Sequence, residues 1–296
     1  MGYLFAVLAM ISIGVLGILS KVADRNGCRP LITTIVLFGG STMFMGLYVR
    51  FIQRTTLRPP RFVIGTALGF GALAILAFWV FLYGLQFGKI TTSWIFMNLS
   101  AVVPAALSAV IYNEKIGIVK GIVLLFVVVS IVLLWKDRQK EKGVHDSTTA
   151  GKDNVKMWIS AMLAAFVLNG ICPFGLRILA GRGLAQQYTA VYLFYWYLAG
   201  FVFGLLWLLW GLQPISRANL LIGLVMALAS VGGQFFMGLA LSGGAPGSVV
   251  YMLAMGASMC IVVVGGLLFF HERVGKSGKL GIAIGLLAAV LLGTAT

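Results

Sequence analysis

A chain of 296 residues that is 60% hydrophobic and only 10% charged is not a soluble globular domain. Several stretches of about twenty residues carry no charge, each long enough to cross a bilayer. The net charge of +15 comes from bases scattered over short loops, where Lys and Arg mark membrane boundaries, so nucleic acid is excluded as a partner and the lipid bilayer takes its place.

In chain order the apolar runs predict ten transmembrane helices: Tyr3–Val22, Leu31–Ile52, Phe62–Gln86, Thr91–Tyr112 and Gly117–Trp135, then Met157–Leu179, Thr189–Gly211, Asn219–Leu241, Gly247–Phe270 and Gly278–Leu292. Between the fives lies the long hydrophilic segment Lys136–Lys156, whose composition predicts a flexible linker. The first run starts at Tyr3 without a basic region before it and is too long for a cleavable signal.

The two halves repeat each other. Glu114-Lys115, closing span 4, is echoed by Glu272-Arg273 closing span 9, and Lys21 late in span 1 is echoed by Arg177 in span 6. Residues 1–135 and 157–296 therefore form two repeats joined by 136–156. An odd number of spans per repeat turns the second copy over in the membrane, a plan common among secondary transporters, whose substrate site lies near the midplane between repeats. The fold class expected is an all-α membrane protein of two inverted five-helix repeats. The loop charges lean towards termini outside the cell, but only through the linker.

None of the seven acidic residues lies in the middle of a span, and both histidines sit at a span end or in a loop. Proton relays and buried cation sites use intramembrane ionisable groups, and acid–base catalysis needs positioned titratable ones. An enzyme is therefore not expected, nor any metal or cofactor site. The three cysteines lack ligand spacing and read as inert packing thiols.

What remains for binding is uncharged. Asn98, Asn169 and Gln234 are the amides well inside spans, with Ser12 at comparable depth. Amides are costly in lipid and should face protein or a wet cavity, either as polar glue between helices or as substrate ligands. Trp94 shares a helical face with Asn98, Tyr251 shares one with Met255, and Phe78 and Trp79 sit in span 3. Together these nine residues are the candidate substrate-binding set for a small amphiphilic molecule, with ordinary core packing as the alternative. Glu114 and Glu272 read as structural helix-end residues that pair with nearby bases or cap helices, and Lys21 and Arg177 as long cations near a span end that snorkel to the interface. Trp135, Trp158, Trp207 and Trp210 read as interfacial anchors, and the crowded Tyr192, Tyr195, Trp196 and Tyr197 as lipid contacts. Pro104 and Pro173 predict kinks. The glycine pairs Gly65/Gly69, Gly117/Gly121, Gly200/Gly204 and Gly281/Gly285 predict close helix approaches, or a homodimer seam on span 5 or 10.

This pattern resembles the drug/metabolite transporter superfamily, in its ten-span branch with two EamA-type repeats. The likeness is carried by the five-plus-five layout, by Lys21 and Arg177, and by the acid–base–glycine signatures Asn113-Glu114-Lys115 to Gly121 and His271-Glu272-Arg273 to Gly281. The family's usual glycine before the acid is Asn113 or His271 here. Its small multidrug members use a glutamate inside span 1, where this chain has Ser12. The resemblance implies a basket in which spans 1, 3, 4, 6, 8 and 9 surround a cavity, with spans 5 and 10 peripheral. It also implies both termini in the cytoplasm, a place in the inner or plasma membrane, and transport of a small organic metabolite, such as an amino acid or amine, by alternating access. A lipid-carrier flippase subunit is the alternative from another class.

Overall fold

The computed structural model describes residues 2–54, 58–111, 122, 125–126, 128–130, 132–137, 155–209, 211, 214–245, 247–272 and 274–294. Asn113, Glu114, Lys115, Gly117, Gly121, Trp210, Arg273 and most of the expected linker lie outside them.

Among the described residues the fold is all-helical. The helices are α1 (Gly2–Arg25), α2 (Pro30–Leu47, ending in a π-turn at Tyr48–Ile52), α3 (Arg61–Leu85), α4 (Ile90–Asn98) and α5 (Val102–Ile111). The second half holds α6 (Val155–Ile171), α7 (Phe174–Gly181), α8 (Ala185–Leu208), α9 (Arg217–Ser242), α10 (Gly247–Tyr251), α11 (Ser258–Leu268) and α12 (Lys276–Thr294). Helical residues between 122 and 137 belong to the expected span 5.

Among the described residues six helices are long and apolar enough to cross a membrane: Gly2–Arg25, Pro30–Ile52, Arg61–Leu85, Val155–Gly181, Ala185–Leu208 and Arg217–Ser242. Spans 4 and 9 are not continuous α-helices. Pro104 cannot donate to the Ser100 carbonyl, and the preceding turn tightens to a 3₁₀ segment at Leu99–Ala101. In span 9 a π-turn at Met252–Gly256 separates α10 from α11. Pro173 similarly divides α6 from α7, the other kink expected.

The packing order repeats between halves. Helix α1 lies along α9 as α6 lies along α3, α2 meets α9 as α8 meets α3, and α1 meets α11 as α6 meets α4. The pairs α2–α8 and α4–α11 are their own counterparts. Every residue of α4 is buried, so this helix needs no amphipathic stripe and runs through the middle of the bundle. The outer faces are apolar, with Leu205 and Leu206 on α8 and Leu221 and Leu228 on α9 exposed, the inside-out distribution that lipid allows.

Several expectations change. Gly65 and Gly69 face open space, so that pair brings no helices together. Gly281 and Gly285 are already covered by Leu133, Leu134 and Ser130 of the same chain. Asp137, placed in the flexible linker by sequence, is helical and 5% exposed, and it accepts a hydrogen bond from Gly275 N (3.2 Å) just ahead of α12. Its carboxylate complements the positive end of that helix. Cys28 is buried in the α1–α2 turn, where burial raises its thiol above the ordinary range against a hydrogen bond with Thr33. Cys172 is buried too, whereas Cys260 is exposed and packs inside nothing.

One buried side chain ties α9 to α2. Asn219, 1% exposed, donates to Thr33 Oγ1 (2.8 Å) and Arg29 O (3.3 Å), while Ser216 Oγ donates to its Oδ1 (2.7 Å) and caps its N–H (3.1 Å). Asn219→Ala should lower unfolding stability by about 2 kcal/mol, because it orphans these partners together. Chemical unfolding in micelles reads the change, and an unaltered midpoint would refute this role.

Candidate functional site

Between the halves lies a cavity of about 80 Å³, room for roughly five waters. Its walls come from α1 (Ile13, Leu16), α2 (Leu37, Phe38), α3 (Ala74, Phe78), α4 (Trp94, Met97, Asn98), the α6–α7 region (Asn169, Cys172, Pro173), α8 (Trp196), α9 (Ser230, Gln234, Met237) and the π-turn (Met255). None of the described lining residues is charged. The basket expected from the resemblance thus gains spans 2 and 7, which contribute Phe38 and Trp196.

Of the nine candidate residues, Phe78, Trp94, Asn98, Asn169, Gln234 and Met255 line this cavity. The other three do not. Ser12 turns its hydroxyl to Leu8 O (2.9 Å) and packs against Gly232, while its neighbour Ile13 takes the cavity position. Trp79 faces away from Phe78, with its ring 4.4 Å from Trp207 and 5.7 Å from Tyr83. Tyr251 is wholly buried behind the wall and donates to Pro173 O (2.9 Å).

The aromatic residues of span 7 are also corrected. Tyr192 and Tyr197 are buried and Trp196 lines the cavity, so these three do not face lipid. Trp196 stacks on Phe38 at 5.6 Å, and the Tyr197 hydroxyl shares a hydrogen bond with Ser230 Oγ (2.8 Å). Trp158 is no interfacial anchor: it is fully buried and donates to Ser93 Oγ (2.9 Å). Periodicity alone could not place these rings, because each helix meets neighbours on several sides.

The change of helix type ahead of Pro104 shapes the polar part of the site. The Asn169 amide donates to Met97 O (3.3 Å) and Ser100 Oγ (2.9 Å), beside the 3₁₀ turn. Asn98 donates to Trp94 O, four residues back (2.9 Å). Gln234 makes no hydrogen bond with a described residue. An anion would lose several kcal/mol of hydration here with no opposite charge among the described lining residues. Aromatic faces return about 2 kcal/mol or more to a desolvated cation and nothing to an anion.

An ionic cluster sits at the start of α4, outside the cavity lining. The Glu272 carboxylate accepts from Ile90 N and Thr91 N (3.0 Å each) and from the Thr91 hydroxyl, so it caps α4. Lys21 Nζ stands 3.8 Å from Glu272 and 2.9 Å from Asp24. Arg25 donates to Phe270 O (2.8 Å) and lies over that ring. At α10, Arg177 packs against Gly247 as the helix opens.

A bundle of long apolar helices, lipid-facing outside and closed round an uncharged cavity, defines an integral multi-pass membrane protein. Residues 1–136 match the EamA-like transporter family, a similarity consistent with the drug/metabolite transporter superfamily. A solved crystal structure superposes on 99% of this chain and 97% of its own length, with a TM-score of 0.68 at 14% identity, a likeness of fold. No curated protein matches the chain.

Proposed function

We propose that this protein is a secondary transporter of a small organic metabolite, an amino acid or amine, working by alternating access around the central cavity. The observation that carries the reading is the buried, uncharged, aromatic-walled cavity between two halves whose contacts exchange with one another. That exchange supports ten spans arranged as two inverted five-helix repeats, with the broken helices α4–α5 and α10–α11 facing each other at the centre. The pairs α3–α4 and α9–α10 have short connections, each moves as a unit, and they rock against the rest. The protein sits in the cell membrane with both termini in the cytoplasm.

No carboxylate stands among the described lining residues, which supports transport without a buried acid. Proteoliposomes holding the purified chain should take up a labelled amino acid or amine down its own gradient, with or without a pH difference. Asn98→Leu should abolish that uptake. No uptake across a panel of amino acids, amines and sugars would sink the reading. So would accumulation that occurs only with a proton gradient and is lost on replacing one intramembrane residue.

A further inference from the structure

We infer that the cavity takes the N–H face of a non-anionic solute, an organic amine or carboxamide, and rejects carboxylates and phosphates. The inference rests on the transporter reading and narrows its substrate class. Only a nitrogen can donate to a carbonyl oxygen, so the bonds from Asn98 to Trp94 O and from Asn169 to Met97 O fix both amide orientations. Asn169 spends both N–H groups on protein and Asn98 spends one, and in each Oδ1 is left as an acceptor. No described donor reaches either oxygen. Asn98 is 3% exposed and lies on the cavity wall, so what it can meet there is the cavity's occupant. An acceptor oxygen on an otherwise apolar wall gains a hydrogen bond from a solute N–H.

Gln234 can turn either end of its amide to a solute. The wall offers little that would hold an anion. No described lysine or arginine lines it, and Lys21 and Arg25 are engaged at the end of α1. Trp94 Nε1 is buried without a partner and closed off from the cavity space, so it presents no open donor. Acceptor oxygens on an apolar wall without bases favour N–H groups and oppose carboxylates.

The test uses the full chain in detergent, titrated with butylamine, butyramide, butyrate and tetramethylammonium, small enough for the cavity. The readout is the thermal midpoint as a function of ligand, which yields a dissociation constant. Butylamine, butyramide or both should bind at least about tenfold tighter than butyrate and tetramethylammonium, the scale of one good hydrogen bond. Binding by butylamine alone identifies an ammonium donor, and binding by butyramide alone a neutral one. Asn98→Leu and, as a second variant should that one not fold, Asn169→Leu should each weaken binding about tenfold. Tetramethylammonium binding as well as butylamine would overturn the inference, since it has no N–H. Butyrate binding tightest, or no ligand binding, would also overturn it. The transporter reading would then still be decided separately, by proteoliposome flux.

Discussion

Glu272→Ala should destabilise the protein by roughly 3 kcal/mol, while Glu272→Gln should cost about 1 kcal/mol. The difference follows from what each variant leaves unpaired. The carboxylate, 7% exposed, accepts two backbone N–H groups at the start of α4 as well as the Thr91 hydroxyl. Bonds to an ionised acceptor are each worth about 1.5 kcal/mol or more; alanine loses all three, and while the Thr91 hydroxyl can turn to another acceptor, the two backbone donors are stranded. Glutamine keeps an acceptor oxygen and loses the charge. The ion pair is the smaller part. Lys21 stands nearer to Asp24 than to Glu272, so it stays paired when Glu272 is gone. Lys21→Met should accordingly cost less than Glu272→Ala. Chemical unfolding of the three variants orders them, and a loss for Lys21→Met equal to that for Glu272→Ala would refute the capping account. The variant should also loosen the junction where α1, α4 and the end of α11 meet. Raised labelling of a cysteine placed at Ile90 would report that loosening.

The Glu272 cap was legible as a class but not as a contact. Two acids at span ends, echoed between halves, announced pairing or capping; only the fold brought Glu272 to Ile90, 182 residues away. The membrane class was plain from hydropathy, because composition alone decides it. Side-chain direction was less plain. Phe78 and Trp79 are adjacent in sequence, yet one faces the cavity and the other Trp207. In a membrane bundle both directions are apolar, so no amphipathic stripe separates them. Polarity was the better guide: the intramembrane amides Asn98, Asn169 and Gln234 all line the cavity, whereas Ser12 satisfies its own helix. A hydroxyl can bond back to the carbonyl four residues earlier, which makes serine a weaker marker than an amide. Trp196 and Phe38 carried no polar signal at their depth and were missed.

Gly71→Ala should be among the most damaging conservative changes in the chain, and Gly69→Ala among the most harmless. Both positions lie inside α3, and both substitutions raise helix propensity. At Gly69 an added methyl meets nothing within 4 Å, so alanine should stabilise by about 0.5–1 kcal/mol. At Gly71 the same methyl would run into the backbone carbonyl of Trp196 and press on Ala199, 3.1 Å away. A side chain can swing aside, but a helix backbone cannot move without its neighbours. The α3–α8 crossing must therefore widen, at about 3 kcal/mol, the upper part of the range for overpacking. Ala74 and Trp196 both stand on the cavity wall, so the shift reaches the site. Uptake in proteoliposomes should fall for Gly71→Ala even under conditions where the variant is still folded, and stay unchanged for Gly69→Ala. Equal stability of the two variants would mean that α3 and α8 are not held at this crossing.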